Sequence, residues 1–307
     1  MIVYFLRRLL SAIPTLLAVV TIAFFMMRLT PGGPFDNGRH VSPEVEANLE
    51  KAYNLDKPLL AQYWGYLSGV VRGDFGPSFQ YKDFTVAELI QSGFPVSLRL
   101  GLSAMAIALI LGVGFGTYAA LHQNRAGDHA AMGFAVAGIA IPSYVAAPLL
   151  TLVFGIYLRW LPVGGWGDGA LRNLVLPIVT LALPLIAYVT RLTRGSMIEV
   201  LRANYIRAAR AKGLPMHLII WRHALPAAIL PVVSYLGPGT AAVITGSLVV
   251  EQIFSLPGIG RYFVQGAINR DYTLVMGVVI FYAALIILLN LIVDVVYALL
   301  DPKVRYR

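Results

Sequence analysis

The stretch NYIRAARAKGLPMHLIIWRHALP, residues 204–226, is a basic segment that separates two strongly apolar parts of the chain. It contains no acidic residue, and its arginines and its lysine are Arg207, Arg210, Lys212 and Arg222. A short basic segment between long apolar runs is typical of a cytoplasmic loop of a membrane protein. The fold therefore depends on whether the flanking sequence can span a membrane.

The composition of the whole chain favours an integral membrane protein. Of its 307 residues, 58% are hydrophobic and only 13% are charged, whereas a soluble domain usually carries about 25% charged residues. The net charge of +9 does not indicate a nucleic-acid partner, because the cations cluster at the ends of apolar spans rather than on one soluble face. The absence of cysteine excludes disulfides and thiolate metal sites.

Six apolar stretches approach the roughly 20 residues that a membrane-spanning helix needs. The first resembles a secretory signal, but its apolar run is too long and no cleavage site follows it, so we expect an uncleaved anchor. The fourth is short and contains two prolines. The sequence thus predicts an all-α polytopic membrane protein with six transmembrane helices, at residues 9–27, 98–121, 131–158, 174–189, 224–250 and 274–300.

The distribution of lysine and arginine predicts the orientation. The long segment 30–97 has more acidic than basic residues, whereas the segments on the opposite side are basic. Because cytoplasmic loops carry the excess of lysine and arginine, we expect both termini in the cytoplasm. The inner cations are Arg7, Arg8, Arg125, Arg194, Arg202, Arg207, Arg210, Lys212, Arg222, Lys303, Arg305 and Arg307.

The outer segment is too long for a structureless connector, so we predict a small helical periplasmic cap. Ser42-Pro43-Glu44 and Asp56 are helix-start signals, Gly73 is a stop, and TVAE, residues 85–88, is a capping box that predicts a third short helix. The predicted division is a tail and first span at 1–28, the cap at 29–97, and a membrane core at 98–307 that includes the basic cytoplasmic segment at 195–223.

A second outer segment, residues 251–273, is amphipathic and interrupted by Pro257-Gly258 and by Gly260. It fits a half-inserted helix near a polar path or a partner subunit, and an ordinary surface loop is the alternative. We predict that its pathway or gate residues are Glu251, Phe254, Pro257, Gly258 and Gly260.

Asp294 is an acid inside the last predicted span, about two turns from its cytoplasmic end. An intramembrane acid suggests function. We favour a structural role, in which water or a subunit contact satisfies the carboxylate, over a proton relay, because the sequence shows no chain of such groups.

The basic segment itself predicts a short surface helix. The capping box at 196–199 predicts a helix start, Asn204 can break and recap that helix, and Gly213 supplies a left-handed stop after a helix at 205–212. Such a helix is marginal alone in water and needs something to dock against. Its alanines let another protein approach closely, and its cations can pair with acids there. The alternative is that these cations only follow the positive-inside rule.

Two stretches carry a resemblance to a known family. AARAKG (208–213) followed by WRHALPAAILP (221–231) resembles the cytoplasmic EAA-type signature of permease subunits of binding-protein-dependent ABC importers. Arg207 stands where many members have an acid, a departure that is common in the peptide branch. The likeness is closest to the B-type subunits of oligopeptide importers, and dipeptide, nickel and glutathione relatives share the architecture. Further similar stretches lie at 5–34, 55–67, 73–86, 249–272 and 297–306.

The resemblance implies the type I (MetI-like) importer permease fold in the inner membrane. Two homologous permease subunits would form the pore, two ATPase subunits would bind ATP and Mg²⁺ beneath it, and a periplasmic binding protein would deliver peptide. The short helix would fit a groove on an ATPase. The resemblance thus implies that residues 98–307 are a permease core with a coupling segment at 195–223. The coupling residues implied are Glu199, Tyr205, Arg207, Ala208, Ala209, Ala211, Lys212, Gly213 and Leu214.

The other function classes find little support in the sequence. No G-x-x-x-x-G-K-[ST] phosphate loop, H-E-x-x-H pair or G-x-S-x-G elbow occurs, so we expect no catalytic residue, metal or cofactor in this chain itself. A stand-alone secondary transporter usually shows internal repeats or charged groups at mid-membrane, and neither is evident here.

Overall fold

The computed structural model describes residues 2–29, 56–81 and 83–300, and its regular structure in those ranges is helical apart from one isolated bridge between Pro77 and Thr85. π-Helical turns lie at Thr151–Tyr157 and at Ile219–Ala224. The helices are α1 Ile2–Leu29, α2 Leu59–Val71, α3 Val86–Leu121, α4 Ala126–Ala140, α5 Ser143–Leu150, α6 Leu171–Leu201, α7 Asn204–Ala211, α8 Met216–Leu218, α9 Leu225–Ala228, α10 Leu230–Gly246, α11 Leu248–Ile253, α12 Ile259–Ile268 and α13 Tyr272–Leu300.

Five helical stretches are long and apolar enough to cross a membrane, and a bent pair, α4 with α5 and its π-helical extension, makes a sixth. The predicted span at 131–158 is therefore broken, with a bend of 103°. Ile141 precedes a proline and has φ −85° and ψ 112°. Proline sterically disfavours the α conformation of the residue before it, and this accounts for the bend at Ile141. The five single stretches are Leu10–Leu29, Val86–Leu121, Leu171–Leu201, Leu230–Ile253 and Tyr272–Tyr297.

The capping box at the start of α3 is confirmed, but the helix that it opens is not short. Thr85 Oγ1 accepts a hydrogen bond from Glu88 N at 3.2 Å, and Glu88 Oε2 accepts one from Thr85 N at 2.8 Å. The helix then runs through Pro95 for 36 residues. Residues 86–97 and the predicted second span are thus one continuous helix, while the division into cap and core stays a prediction.

The other helix start and stop signals predicted in segment 29–97 can be compared with the structure only in part. Helix α2 begins three residues after Asp56, and Gly73 beyond its end has φ +79°, as a left-handed stop requires. The start predicted at Ser42-Pro43-Glu44 lies outside the described residues.

Two expectations about the region of helix α6 are wrong. It is 31 residues long, rather than the short span predicted at 174–189. It also continues through residues 196–199, so the capping box predicted there does not start a helix. Met197 is fully buried in this stretch. Apolar burial of the inner half of α6 therefore keeps one helix continuous where the local signal favoured a new start.

Close packing of α3 against α6 forms the centre of the bundle. A Cβ atom built on Gly112 would lie 2.7 Å from Val189 Cβ, and one on Gly116 would lie 2.6 Å from Thr193 Cβ. The two glycines are four residues apart, the spacing at which small residues let membrane helices approach closely. Any larger side chain at either position would separate the two helices.

Helix α1 lies against α13, and an ion pair joins them. Arg8 Nε is 2.6 Å from Asp294 Oδ2, and the Asp294 side chain is 22% exposed. The Asp294 carboxylate therefore has a partner, which is an arginine of the same chain rather than the expected water or subunit contact, and its structural role stays a prediction. At the opposite end of α1, Thr21 Oγ1 and Tyr63 Oη lie 2.8 Å apart and connect α1 to α2.

Candidate functional site

The basic segment folds as the short helix α7, which docks on its own chain through two side chains. Ile206 is fully buried and Ala209 is 8% exposed. Because they are three residues apart, they lie on one face of the helix. They pack in an apolar cluster with the inner ends of α3 and α6 and with the segment after α7, formed by Ala120, Met197, Ile206, Ala209, Ile219, Ala224 and Ala228.

The opposite face of α7 is open. Tyr205 is 49% exposed, and Arg207, Ala208 and Ala211 are also exposed. We call this set of four residues the outer face of α7. A cation, a tyrosine ring and two alanines form a surface that a partner protein can approach closely.

The N-terminus of α7 differs from the prediction for Asn204. Ala203 precedes the helix with φ −66° and ψ 151°, and Asn204 is the first helical residue. The Asn204 side chain makes no cap, since its Oδ1 accepts a hydrogen bond from Arg207 Nη2 instead. The side chain thus joins the first turn of α7 rather than capping its backbone.

The C-terminus of α7 confirms the predicted stop. Gly213 has φ +74°, its N–H donates to Arg210 O at 2.9 Å, and the Leu214 N–H donates to Ala209 O at 3.3 Å. These two bonds form a Schellman motif, which needs a left-handed residue and favours glycine. The motif fixes the direction in which the chain leaves α7.

The residues of the predicted coupling set do not all face the same way. Glu199, Lys212 and Leu214 are exposed, as is the outer face of α7, whereas Ala209 points into the cluster of its own chain. A substitution at Ala209 would disturb the docking of α7 before it disturbed any partner. The coupling role of the set stays a prediction.

An ion pair that the sequence did not reveal supports the inner end of α6. Arg194 Nε donates to Asp128 Oδ1 at 2.5 Å, and Arg194 Nη2 donates to Asp128 Oδ2 at 2.7 Å. The Asp128 side chain is only 2% exposed, and the Asn124 N–H also donates to it. The two residues are 66 positions apart, so no local spacing could indicate the pair.

The predicted outer pathway residues meet around a buried carboxylate. Glu251 is fully buried, and its Oε1 accepts hydrogen bonds from Ser97 Oγ at 2.7 Å and Ser247 Oγ at 2.5 Å. Its Oε2 accepts one from the Arg261 N–H at 3.3 Å. Glu251 thus ties α3, α11 and α12 together.

Two of the predicted glycines are needed for this close packing, because a side chain at either position would clash with its neighbours. A Cβ on Gly258 would lie 2.3 Å from Glu251 Oε2, and a Cβ on Gly260 would lie 2.6 Å from Leu248 Cα. Phe254 is fully buried, and Pro257 is partly buried between these groups. The set is therefore packed together in this conformation, and its role as a pathway or gate stays a prediction.

A second buried carboxylate, which sequence reasoning missed, holds the outer segment before α3. Asp271 is fully buried and accepts hydrogen bonds from Ser78 Oγ at 2.5 Å and the Gln80 N–H at 3.0 Å. It also accepts the Leu274 N–H at 3.0 Å, as an N-cap of α13 does. The short polar residue just before an apolar span was the signal that could have identified this cap.

Two family models together match nearly the whole chain. Residues 112–306 match the binding-protein-dependent transport system inner membrane component, and residues 1–101 match the N-terminal part of the membrane component of such systems. The chain belongs to this family. The coupling segment, Glu251 and Asp271 all lie in the part that matches the inner membrane component.

Known members of the family match this chain from end to end. The chain is 57% identical over 306 residues to the "Oligopeptide transport system permease protein OppB" of Salmonella typhimurium and 56% identical to that of Escherichia coli strain K12. In both comparisons the match covers 100% of this chain and 100% of the relative. The chain is 42% identical to the "Dipeptide transport system permease protein DppB" of Bacillus subtilis, with 98% of this chain and 97% of that one covered.

A solved structure shares the fold of this inner membrane component. The chain aligns with the "Crystal structure of an amino acid ABC transporter with histidines" at a TM-score of 0.51 and 18% sequence identity, covering 70% of this chain and 94% of the other. The all-α permease fold predicted from the sequence is thereby confirmed.

Proposed function

We propose that this chain is the transmembrane permease subunit of an ATP-driven importer that moves oligopeptides across the bacterial inner membrane. The observation that carries the proposal is the full-length identity of 57% and 56% to two proteins named oligopeptide permeases. Both termini lie in the cytoplasm in this proposal, because the basic segments collect on that side.

The coupling segment transmits force from the ATPase subunits in this proposal. The support is geometric: Ile206 and Ala209 fasten α7 to its own chain, so the outer face is presented on a held helix. Arg207 and Lys212 can pair with acids of the partner, and Ala208 and Ala211 permit close approach. Since the sequence lacks a phosphate loop, ATP and Mg²⁺ belong to the partner subunits.

The complete importer in this proposal has further subunits. A second homologous permease supplies the other half of the pore, two ATPases dock from the cytoplasm, and a periplasmic binding protein delivers the peptide. Membership in the binding-protein-dependent family supports the ATPases and the binding protein as classes of partner.

Co-purification followed by reconstitution tests the proposal. A tagged chain isolated from native membranes should bring a second permease and ATPase subunits. The complex in lipid vesicles, with the binding protein outside and ATP inside, should take up labelled peptides of three to five residues. Peptide uptake that needs no ATP, or a tagged chain that brings no ATPase, would contradict the proposal.

A dipeptide importer is the second candidate, because a dipeptide permease of Bacillus subtilis is 42% identical to this chain. The same vesicles separate the two candidates. Efficient uptake of dipeptides with little uptake of tetrapeptides would favour the second, provided that the receptor used binds both lengths.

A further inference from the structure

Helices α6 and α10 present an exposed surface that differs in chemistry from the rest of the bundle. In α1 and α13 many of the exposed side chains are large and apolar, among them Leu17 and Ile292. Within residues 176–204 and 222–248, all of which are described, no large apolar side chain is exposed. The exposed residues there include Arg191, Ser234 and Pro238. On α10 the exposed residues are small or lack a large apolar side chain, and Arg191 is the exposed cation of α6 nearest to them, so this surface is less suited to lipid tails than those of α1 and α13.

Arg191 stands out on this surface because of its position. It lies on α6 about 8 Å along the axis from residue 186, the midpoint of the helix, at 1.5 Å per residue. A cation facing lipid at such a depth is costly, and intramembrane cations usually face a partner or a water-filled cavity. Among the described residues, ion pairs join Arg8 to Asp294 and Arg194 to Asp128, and no carboxylate pairs with Arg191.

Two tyrosines hold Arg191 in place. The guanidinium carbon of Arg191 lies 5.7 Å from the centroid of the Tyr188 ring, within the range of a cation–π interaction. Tyr188 in turn stacks on Tyr235 of α10, with ring centroids 4.2 Å apart and planes 30° apart. Gly239 leaves space for this stack, since a Cβ there would lie 2.7 Å from Tyr235 Cε1. The arginine is thus oriented by its neighbours while its charge remains unpaired by them.

We infer that Tyr188, Arg191 and Tyr235 line the path of the translocated substrate and that Arg191 is a transient binding site for a peptide carboxylate. A guanidinium binds a carboxylate through two parallel hydrogen bonds, and an aromatic pair beside it accommodates varied side chains. The inference rests on the proposed function, because a peptide always carries a terminal carboxylate and can carry acidic side chains as well.

Uptake of peptides that differ only in charge tests the site. Tripeptides with Glu, Gln or Lys at the central position are supplied to the reconstituted complex with wild-type, R191Q, R191K or R172Q subunits. Because the same receptor delivers the peptides to every variant, its preference cancels when the Glu-to-Gln uptake ratio is compared between variants. R172Q is the matched control, since Arg172 is an exposed arginine of the same helix that donates to the Trp160 carbonyl.

The expected result is a fall of about two- to fivefold in the Glu-to-Gln uptake ratio of R191Q, the range that one partly exposed ion pair supports. R191K should keep most of the ratio, and R172Q should leave it unchanged. An R191Q ratio equal to that of the wild type would overturn the inference. A dependence of uptake on the anionic lipid content of the vesicles would also overturn the inference if it occurred in the wild type but not in R191Q and was the same for all three peptides. Arg191 would then bind lipid headgroups rather than peptide carboxylates.

A second measurement does not depend on uptake or on the assembly of the R191Q variant. The chain has no cysteine, so a single cysteine in place of Ser234 or of Ile292 can be labelled selectively in the complex. A water-soluble thiol reagent should label Ser234→Cys and not Ile292→Cys, and an acidic peptide should slow the labelling. Failure of Ser234→Cys to react would overturn the inference, whereas a wild-type complex that imports no peptide would refute the proposed function instead.

Discussion

At the scale of single residues, two buried carboxylates determine how the region of α11, α12 and the start of α13 is held together. Glu251 and Asp271 are fully buried, and each accepts hydrogen bonds from segments far apart in the chain. A buried polar group with partners is tolerated, whereas a partner left alone costs about 1–3 kcal/mol. The residues around them therefore have little freedom to change.

Gly260→Ala should destabilise the complex, because the added Cβ would lie 2.6 Å from Leu248 Cα and would have to displace backbone next to Glu251. An overpacked core site typically costs about 1–3 kcal/mol. Thermal unfolding of the detergent-purified complex measures the change. Gly246→Ala is the control, since nothing lies within 4 Å of a Cβ at that helical position. Equal melting temperatures for the two variants would disprove this account.

Arg194→Gln should destabilise the complex more than Arg191→Gln does. The first substitution leaves the buried Asp128 carboxylate without its cation, and an acceptor left unpaired in this way costs about 1–3 kcal/mol. The second removes an exposed arginine of the same helix that has no ion pair among the described residues. Thermal unfolding of both variants gives the comparison, and a larger loss for Arg191→Gln would contradict the assigned roles.

At the scale of helices, the sequence predicted where helices form better than it predicted how far each helix extends. The two-turn helix, its stop at Gly213 and the capping box at Thr85 followed from local chemistry, because caps and left-handed glycines act within a few residues. The lengths of α3 and α6 did not, since residues in their unpredicted parts, such as Val86 and Met197, are buried against segments that are distant in the chain. Of the candidate site, the sequence located the short helix α7 but missed Asp128 and Asp271, whose partners lie far away in the chain.

Ala208→Glu and Ile206→Ala should both impair coupling, but for different reasons. Ala208 is exposed on the outer face of α7, so under the proposed function glutamate there should weaken the contact between α7 and the ATPase subunit while α7 stays docked on its own chain. Ile206 is fully buried, so truncation should loosen α7 at a cost of about 2–5 kcal/mol. Hydrogen exchange at 204–212 distinguishes the two, and it should rise only for Ile206→Ala.

ATPase activity and peptide uptake of the same preparations complete the test. In both variants we expect ATP hydrolysis to continue while uptake falls. Full uptake with Ala208→Glu would remove the outer face of α7 from the coupling mechanism. Ser234→Ala, exposed on α10 and distant in sequence from the segment, serves as the control for hydrogen exchange at 204–212.

At the scale of the whole molecule, the lack of cysteine makes the orientation directly measurable. Trp64 of α2 is 64% exposed, and Met216 beyond α7 is 46% exposed. With a periplasmic cap and a cytoplasmic coupling segment, a membrane-impermeant thiol reagent should label Trp64→Cys in intact spheroplasts. It should label Met216→Cys only after permeabilisation. The reverse pattern would place the termini outside and would contradict the charge distribution on which the orientation rests.

The unbroken length of α3 has a mechanical consequence. Its outer tip packs Val86 and Leu89 in one cluster with Leu274, and its inner end places Ala120 in the cluster that holds Ile206. At 1.5 Å per residue the helix is about 54 Å long, so a tilt of ~5° about its midpoint would displace each tip by ~2.4 Å in opposite directions. Because α3 has no break, a small displacement of its Ala120 end, next to α7, would produce an opposite displacement of its Val86 end, next to Leu274.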